Sequence, residues 1–255
     1  MHATTDGTAE VPCTNSQRGQ AWALHVFTTL GVVVGILALR EVINGDPRPA
    51  LLWLLVSFAI DGVDGPVARI LDVKARVPII DGYVLDLVID YVTCVIVPAA
   101  FMYRFDLLPG GNWAMFHLGL IVFTSAIWFS RTDMMTDENW FRGFPAAWNL
   151  VAPILYLYHA RPCVGAVVSV ALSIASLTNI PFPHVLRAQY LRIVTLSVTV
   201  AWISAMVIGI VLLPHHHPWI LRPILMTGSI YFVALAAVQY SRIKRGLAST
   251  ENSAH

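Results

Sequence analysis

The sequence predicts an all-α, polytopic membrane protein with about eight transmembrane helices and both termini in the cytosol. Three observations lead there. The 255 residues are 57% hydrophobic and only 12% charged, where an average soluble domain is roughly a quarter charged. Apolar runs approaching the ~20 residues needed to cross a bilayer recur along the chain. When those runs are threaded back and forth, eleven of the sixteen Lys and Arg fall on the side of the N-terminus, the asymmetry that marks a cytosolic face.

The elements follow in order. Residues 1–20 are polar and lack the charged and apolar regions of a secretory leader, so they read as a cytosolic tail. Spans are expected at 21–42, 49–69, 82–104, 113–131, 144–160, 163–180, 192–213 and 219–241. Proline or glycine punctuates their connections: Pro47 and Pro49, Pro78, Pro109-Gly110-Gly111, Pro162, Pro181 and Pro183, and Pro214. The fifth and sixth runs are short and meet at "HARPC". No long polar segment divides 21–245, which reads as one domain, and 246–255 reads as a second polar tail. The formal net charge of +1 gives no case for a nucleic-acid partner, and the three cysteines show neither a disulfide framework nor zinc spacing. His215–His217 fall on the outer side and read as an interfacial loop rather than a metal patch.

Against this apolar background, two stretches carry acids: "AIDGVDGPVARI" and "IDGYVLDLVIDY". Asp61 and Asp64 lie roughly 12 and 8 Å in from the end of the second span, and Asp86 and Asp90 roughly 6 and 12 Å in from the start of the third. Side by side, the two helices put Asp61 level with Asp90 and Asp64 with Asp86. Asp61, Asp64, Gly65 and Ala68 share one helical stripe; Gly82, Asp86 and Asp90 share another. Asp81 points away and suits an N-cap of the third span. Pro66 removes a backbone donor, so a kink or short break is expected at 62–66.

Four bare carboxylates repel one another too strongly to share a small site. Hard divalent cations resolve this, and Mg²⁺ or Mn²⁺ suits an all-carboxylate donor set. Gly65, Ala68 and Gly82 leave room for a ligand against the backbone, and Arg69 can meet a phosphate. Ionisable residues inside a membrane are costly, which favours a functional reading over helix glue.

The run Asp61-x2-Asp64-Gly65-x2-Ala68-Arg69-x12-Gly82-x3-Asp86-x3-Asp90 resembles the signature of the CDP-alcohol phosphatidyltransferase family. The resemblance implies a CDP-linked lipid bound through its diphosphate and two divalent metals, with transfer of the phosphatidyl group to an alcohol and release of CMP. It makes Asp61, Asp64, Asp86 and Asp90 the metal carboxylates, with Asp90 also the catalytic base. Gly65, Ala68, Arg69 and Gly82 would then bind the CDP-lipid. The gap from Arg69 to Gly82 is longer than in most of the family. Together with "DGVDG" it is similar to the branch that joins CDP-diacylglycerol to free choline, as are "DENWFRGFPAAWN" and, more loosely, "PFPHVLR". That branch implies a bacterial inner membrane, a site facing the cytosol and, as is usual in the family, a homodimer. Tyr91, Trp128, Trp140 and Trp148 are candidates for a cage around choline's quaternary ammonium, although aromatics at an interface are more often belt residues. Lys74 and Arg76 suit anchoring to anionic headgroups. Two alternatives stand beside this reading. The acceptor could be serine, inositol or glycerol phosphate, or the acids could line a cation or proton pathway in a transporter. The near absence of acids from the other spans counts against the transporter.

Overall fold

The computed structural model describes residues 14–136, 140–183, 192–213 and 219–252; the triple histidine at 215–217 and parts of both expected tails lie outside the described residues. Ten α-helices stand in this order among them: α1 (Asn15–Asn44), α2 (Pro47–Ile70), the short α3 (Val73–Arg76), α4 (Gly82–Asp90), α5 (Val97–Arg104), α6 (Asn112–Phe129), α7 (Trp148–Leu157), α8 (Pro162–Ser176), α9 (Arg192–Val211) and α10 (Arg222–Asn252). A π-helical turn, Tyr91–Ile96, joins α4 to α5, so that Gly82–Arg104 is one continuous span.

Every expected span holds a helix, but the lengths differ from expectation. Among the described residues, six helical spans are long and apolar enough to cross a membrane, Gly82–Arg104 counting as one. The remaining two, α7 and α8, have 10 and 15 residues, short of the ~20 that a crossing needs. Helix also enters both expected tails. A capping box at Thr14 starts α1 at Asn15, where the Thr14 hydroxyl accepts from Gln17 N and the Gln17 side chain accepts from Thr14 N. At the other end, α10 runs on to Asn252. The break expected at Pro66 is absent: α2 is helical throughout. The all-α class has one small exception, an antiparallel pairing of β1 (Trp140–Arg142) with β2 (Pro181–Pro183).

The outer surface shows why such a chain needs lipid. Val26, Val33, Ile36, Val63, Val88, Phe123, Val167, Val200 and Val233 are all exposed, far more apolar surface than a soluble monomer presents. Several polar side chains within the helices are satisfied locally. Thr93, Thr124, Ser176 and Thr199 each donate to a carbonyl one turn back, as a medium without water requires.

Close approach of α1 to the acid-bearing helices depends on small residues. A methyl group on Gly31 would lie 3.1 Å from Ile89 Cγ2, and one on Gly35 only 2.9 Å from Thr93 Cγ2. This is the small-residue packing that lets membrane helices touch. The π-turn has a local cause. Pro98, at the start of α5, has no N–H to donate, and its ring crowds the carbonyl four residues back. The turn before it widens, and Val97 N bonds to Val92 O instead.

The two strands bring together the loops after α6 and α8, at the end of the bundle where α2 finishes and α4 starts. Arg131 fastens them: it donates to both carboxylate oxygens of Asp133 (2.9 and 3.0 Å), to Asn179 Oδ1 (2.7 Å) and to the Thr178 carbonyl (3.2 Å). That hydrogen-bonded guanidinium holds the Asp133 carboxyl below the usual carboxylate range. Gly143 sits here at φ +82°, where a side chain would also meet the Ser176 carbonyl at 2.6 Å.

Candidate active site

The acids converge where α2 and α4 lie together. One carboxylate oxygen from each of Asp61, Asp86 and Asp90 lies within 4.8 Å of the others. The expected pairing of Asp61 with Asp90 is therefore present, because eight residues before the end of one helix matches eight residues after the start of its antiparallel neighbour. The fourth acid departs from expectation. Asp64 is buried and its carboxylate meets the hydroxyl of Thr28 on α1, so it stands just outside the triad. It remains near enough to act on Asp61, Asp86 and Asp90 through its charge.

Asp81 is the N-cap of α4: its Oδ1 accepts from Tyr83 N (3.0 Å) and Val84 N (3.3 Å), which leaves the site to the other acids. Arg69 folds back along α2, its Nη1 3.7 Å from where a Gly65 side chain would begin. Gly82 faces His25 on α1, whose Cε1 would lie 3.3 Å from an added methyl. Ala68 packs against the cluster of Ala21, Leu24, Val73 and Val77, so the start of α1 and α3 take up part of the room the sequence left open there.

The four aromatic candidates do not form one group. Tyr91 directly follows Asp90; its hydroxyl donates to the Val122 carbonyl (3.0 Å) and its ring stands edge-on to Phe129. Trp128 is also edge-on to Phe129 and donates Nε1–H to the Arg142 carbonyl (2.9 Å). Trp148, fully buried, donates Nε1–H to Ser125 Oγ (3.0 Å). Trp140 lies apart, buried with Leu235 and Tyr231 of α10.

Sequence reasoning missed Thr28 and the π-turn. Each left a signal. Thr28, Gly31 and Gly35 recur at helical spacing on α1, a polar and small stripe that a lipid-facing helix does not need. Pro98, eight residues after Asp90, marks the widened turn.

Three oxygen donors this close, in an apolar bundle, fit a hard divalent cation by the chemistry of the donor set. They are poorly suited to softer, thiolate-preferring metals. The comparison with known proteins agrees with that geometry. The family model for CDP-alcohol phosphatidyltransferase matches residues 21–180, which is more than half of the chain and includes every acid of the site. The chain belongs to the CDP-alcohol phosphatidyltransferase family.

Relatives extend the match beyond that segment. A protein of Pseudomonas aeruginosa named phosphatidylcholine synthase is 36% identical over 225 residues, covering 88% of this chain and 94% of that protein. Proteins of the same name from Bradyrhizobium diazoefficiens and Brucella melitensis are 40% and 34% identical, covering 73% and 85% of this chain and 70% and 78% of their own lengths. The chain is thus a membrane-embedded transferase of this family, and its acid triad lies inside the matched segment.

Proposed function

We propose that this CDP-alcohol phosphatidyltransferase moves the phosphatidyl group of CDP-diacylglycerol to free choline, giving phosphatidylcholine and CMP. One observation carries the reading: the cluster of Asp61, Asp86 and Asp90, with Asp64 beside it, in a chain whose relatives are named phosphatidylcholine synthase. In the reaction the choline oxygen forms a bond to the lipid-bearing phosphorus, the bond from that phosphorus to the bridging oxygen breaks, and CMP departs with the electron pair.

Asp61, Asp64, Asp86 and Asp90 would hold two Mn²⁺ or Mg²⁺ ions, which supply charge neutralisation at the diphosphate. The remaining work falls to the chain's own groups. Arg69, lying over Gly65, is placed to meet the nucleotide phosphate in a charge-assisted hydrogen bond. Gly65 and Gly82 keep the backbone bare on the donor's path, and Ala68 closes that pocket against α1. Asp90 takes the hydroxyl proton of choline as the new bond forms, since an alcohol is a weak nucleophile without a base in reach. Thr28 keeps Asp64 turned towards α1. Tyr91, next to Asp90, is the aromatic nearest the acceptor, with Trp128 beyond Phe129, Trp148 against Ser125 of α6, and Trp140 in the loop pairing against α10.

The topology that suits this chemistry has α7 and α8 completing eight crossings within a single domain at 21–245, both termini in the cytosol, and the acid end facing the cytosol across a bacterial inner membrane. Lipid tails then stay in the bilayer while the diphosphate reaches the acids. The family's usual homodimer is carried over as part of the proposal.

The test is CMP release by purified protein in detergent, given CDP-diacylglycerol and, separately, choline, serine, inositol or glycerol 3-phosphate. Release with choline alone, abolished by chelator and restored by Mn²⁺ or Mg²⁺, is the expected result. Release driven by another alcohol overturns the acceptor; full release after exhaustive chelation overturns the metals. Asp90→Asn should keep donor binding and lose turnover without rescue by added choline.

A further inference from the structure

The residue after Asp90 is placed to decide where that carboxylate points. A π-turn has a wider, less regular ladder of backbone hydrogen bonds than an α-helix, and so a looser hold on the rotation of the residue at its edge. Here that residue is Asp90, the last of α4. Side chains of the turn supply what the ladder lacks.

Tyr91 reaches α6 at two places. Its hydroxyl donates to the Val122 carbonyl at 3.0 Å and its ring stands edge-on to Phe129, with centroids 5.9 Å apart. Val122 and Phe129 are about two helical turns apart, so the tyrosine lies along α6 and is held at its tip and at its ring. The carbonyl it uses belongs to the interior of a continuous helix, which already employs its carbonyls in its own ladder. The hydroxyl bond is therefore not rescuing an orphaned group; what it adds is a fixed distance between α6 and the residue beside Asp90. Two further contacts act on the same turn. Thr93 Oγ1 donates to the Ile89 carbonyl (3.1 Å), with its methyl pressed towards Gly35. Cys94 Sγ lies 3.9 Å from Asp90 Oδ1, close enough to limit the swing of the carboxylate.

Building on the role given to Asp90 above, we propose that Tyr91 is a positioning residue whose hydroxyl, tied to Val122 of α6, sets the rotation of the π-turn and so the aim of Asp90 at Asp61 and Asp86. Phenylalanine at this position fills the same space and keeps the edge contact with Phe129. Only the tie to α6 is lost, and Asp90 keeps the Thr93 and Cys94 contacts of the turn but no longer a fixed distance from α6. Because the hydroxyl is committed to the Val122 carbonyl, its loss should leave substrate binding unaffected while the chemical step slows.

Tyr91→Phe should lower kcat about tenfold, in keeping with the sensitivity of catalysis to small misplacements. KM for CDP-diacylglycerol and for the alcohol should each stay within about twofold, as for an interaction expressed only in the transition state. Asp90→Glu has already lost the aim of its carboxylate, so adding Tyr91→Phe to it should cause no further loss. Tyr103→Phe, at an exposed tyrosine on α5, serves as the control and should match the parent. Melting temperature in detergent is recorded for each variant. A Tyr91→Phe enzyme with parental kcat overturns the proposal, as does a loss that multiplies with that of Asp90→Glu, or one that tracks a fall in melting temperature. Parental turnover in Asp90→Asn would overturn the role of Asp90 and that of Tyr91 with it. Parental turnover in Tyr91→Phe beside an inactive Asp90→Asn would overturn the role of Tyr91 alone.

Discussion

Replacing Asp61 with asparagine removes one charge from the acid triad while keeping its shape. The oxygens of Asp61, Asp86 and Asp90 lie within 4.8 Å of one another, and two unit charges at that separation repel by about 3.5 kcal/mol at an effective dielectric constant of about 20. Asp61 belongs to two of the three pairs, so about 7 kcal/mol of repulsion leaves with it. All three side chains are partly exposed, and screening of such groups leaves about 1 to 2 kcal/mol of that sum. In a chain of this length, this amounts to a rise of roughly 2–8 °C in melting temperature. Thermal unfolding in detergent with EDTA, at a pH high enough to ionise all three acids, should therefore show Asp61→Asn to be more stable than the parent, although it is inactive in CMP release. Adding Mn²⁺ reverses the order. Metal at a hundredfold its dissociation constant stabilises the parent by about 2.7 kcal/mol, whereas the variant, short of one anionic ligand, gains little. A variant less stable than the parent in EDTA, or one shifted by Mn²⁺ as far as the parent, refutes the view that these acids repel until a cation joins them.

Three further outcomes follow from single contacts. Asp81→Ala should keep most activity and lose about 1 kcal/mol of stability, the usual cost of an N-cap, as read by unfolding and CMP release together; an inactive Asp81→Ala would mean that this acid works in the site. Gly165→Ala should sharply lower the melting temperature, because the added methyl would run into the Leu107 carbonyl and push α8 away from the loop between α5 and α6; unchanged stability would disprove that contact. Asp133, whose carboxyl is held low by its hydrogen bonds from Arg131, contributes stability that is present above the unfolded value of about 3.9 and lost as pH falls through the lower folded value. Asp133→Asn should flatten the acid limb of a plot of melting temperature against pH, and an unaltered limb would show the clamp to be idle.

The sequence by itself determined whatever depends on local periodicity. Each of the eight apolar runs holds a helix, because hydrophobicity and turn residues act over a few positions. Asp81 is a cap for the same reason: its partners Tyr83 N and Val84 N are two and three residues away. The convergence of Asp61 with Asp86 and Asp90 was legible because matched depth on two consecutive antiparallel spans is arithmetic on the rise per residue. The tertiary structure decided what depends on which helices meet. Asp64 turns to Thr28 because α1 lies against α2, and no pattern within residues 61–90 carries the position of α1. Trp140 leaves the other aromatics because β1 pairs with β2 and carries it to α10, a contact between segments about forty residues apart in the chain. The fifth and sixth runs already read as short, but how far α7 and α8 fall inside them, to 10 and 15 residues, is not legible in composition, since apolar residues outside a helix look the same as those within it. Side chains such as Tyr91 take their roles from a neighbour thirty-one positions away; the sequence names the residue, and only packing names its partner.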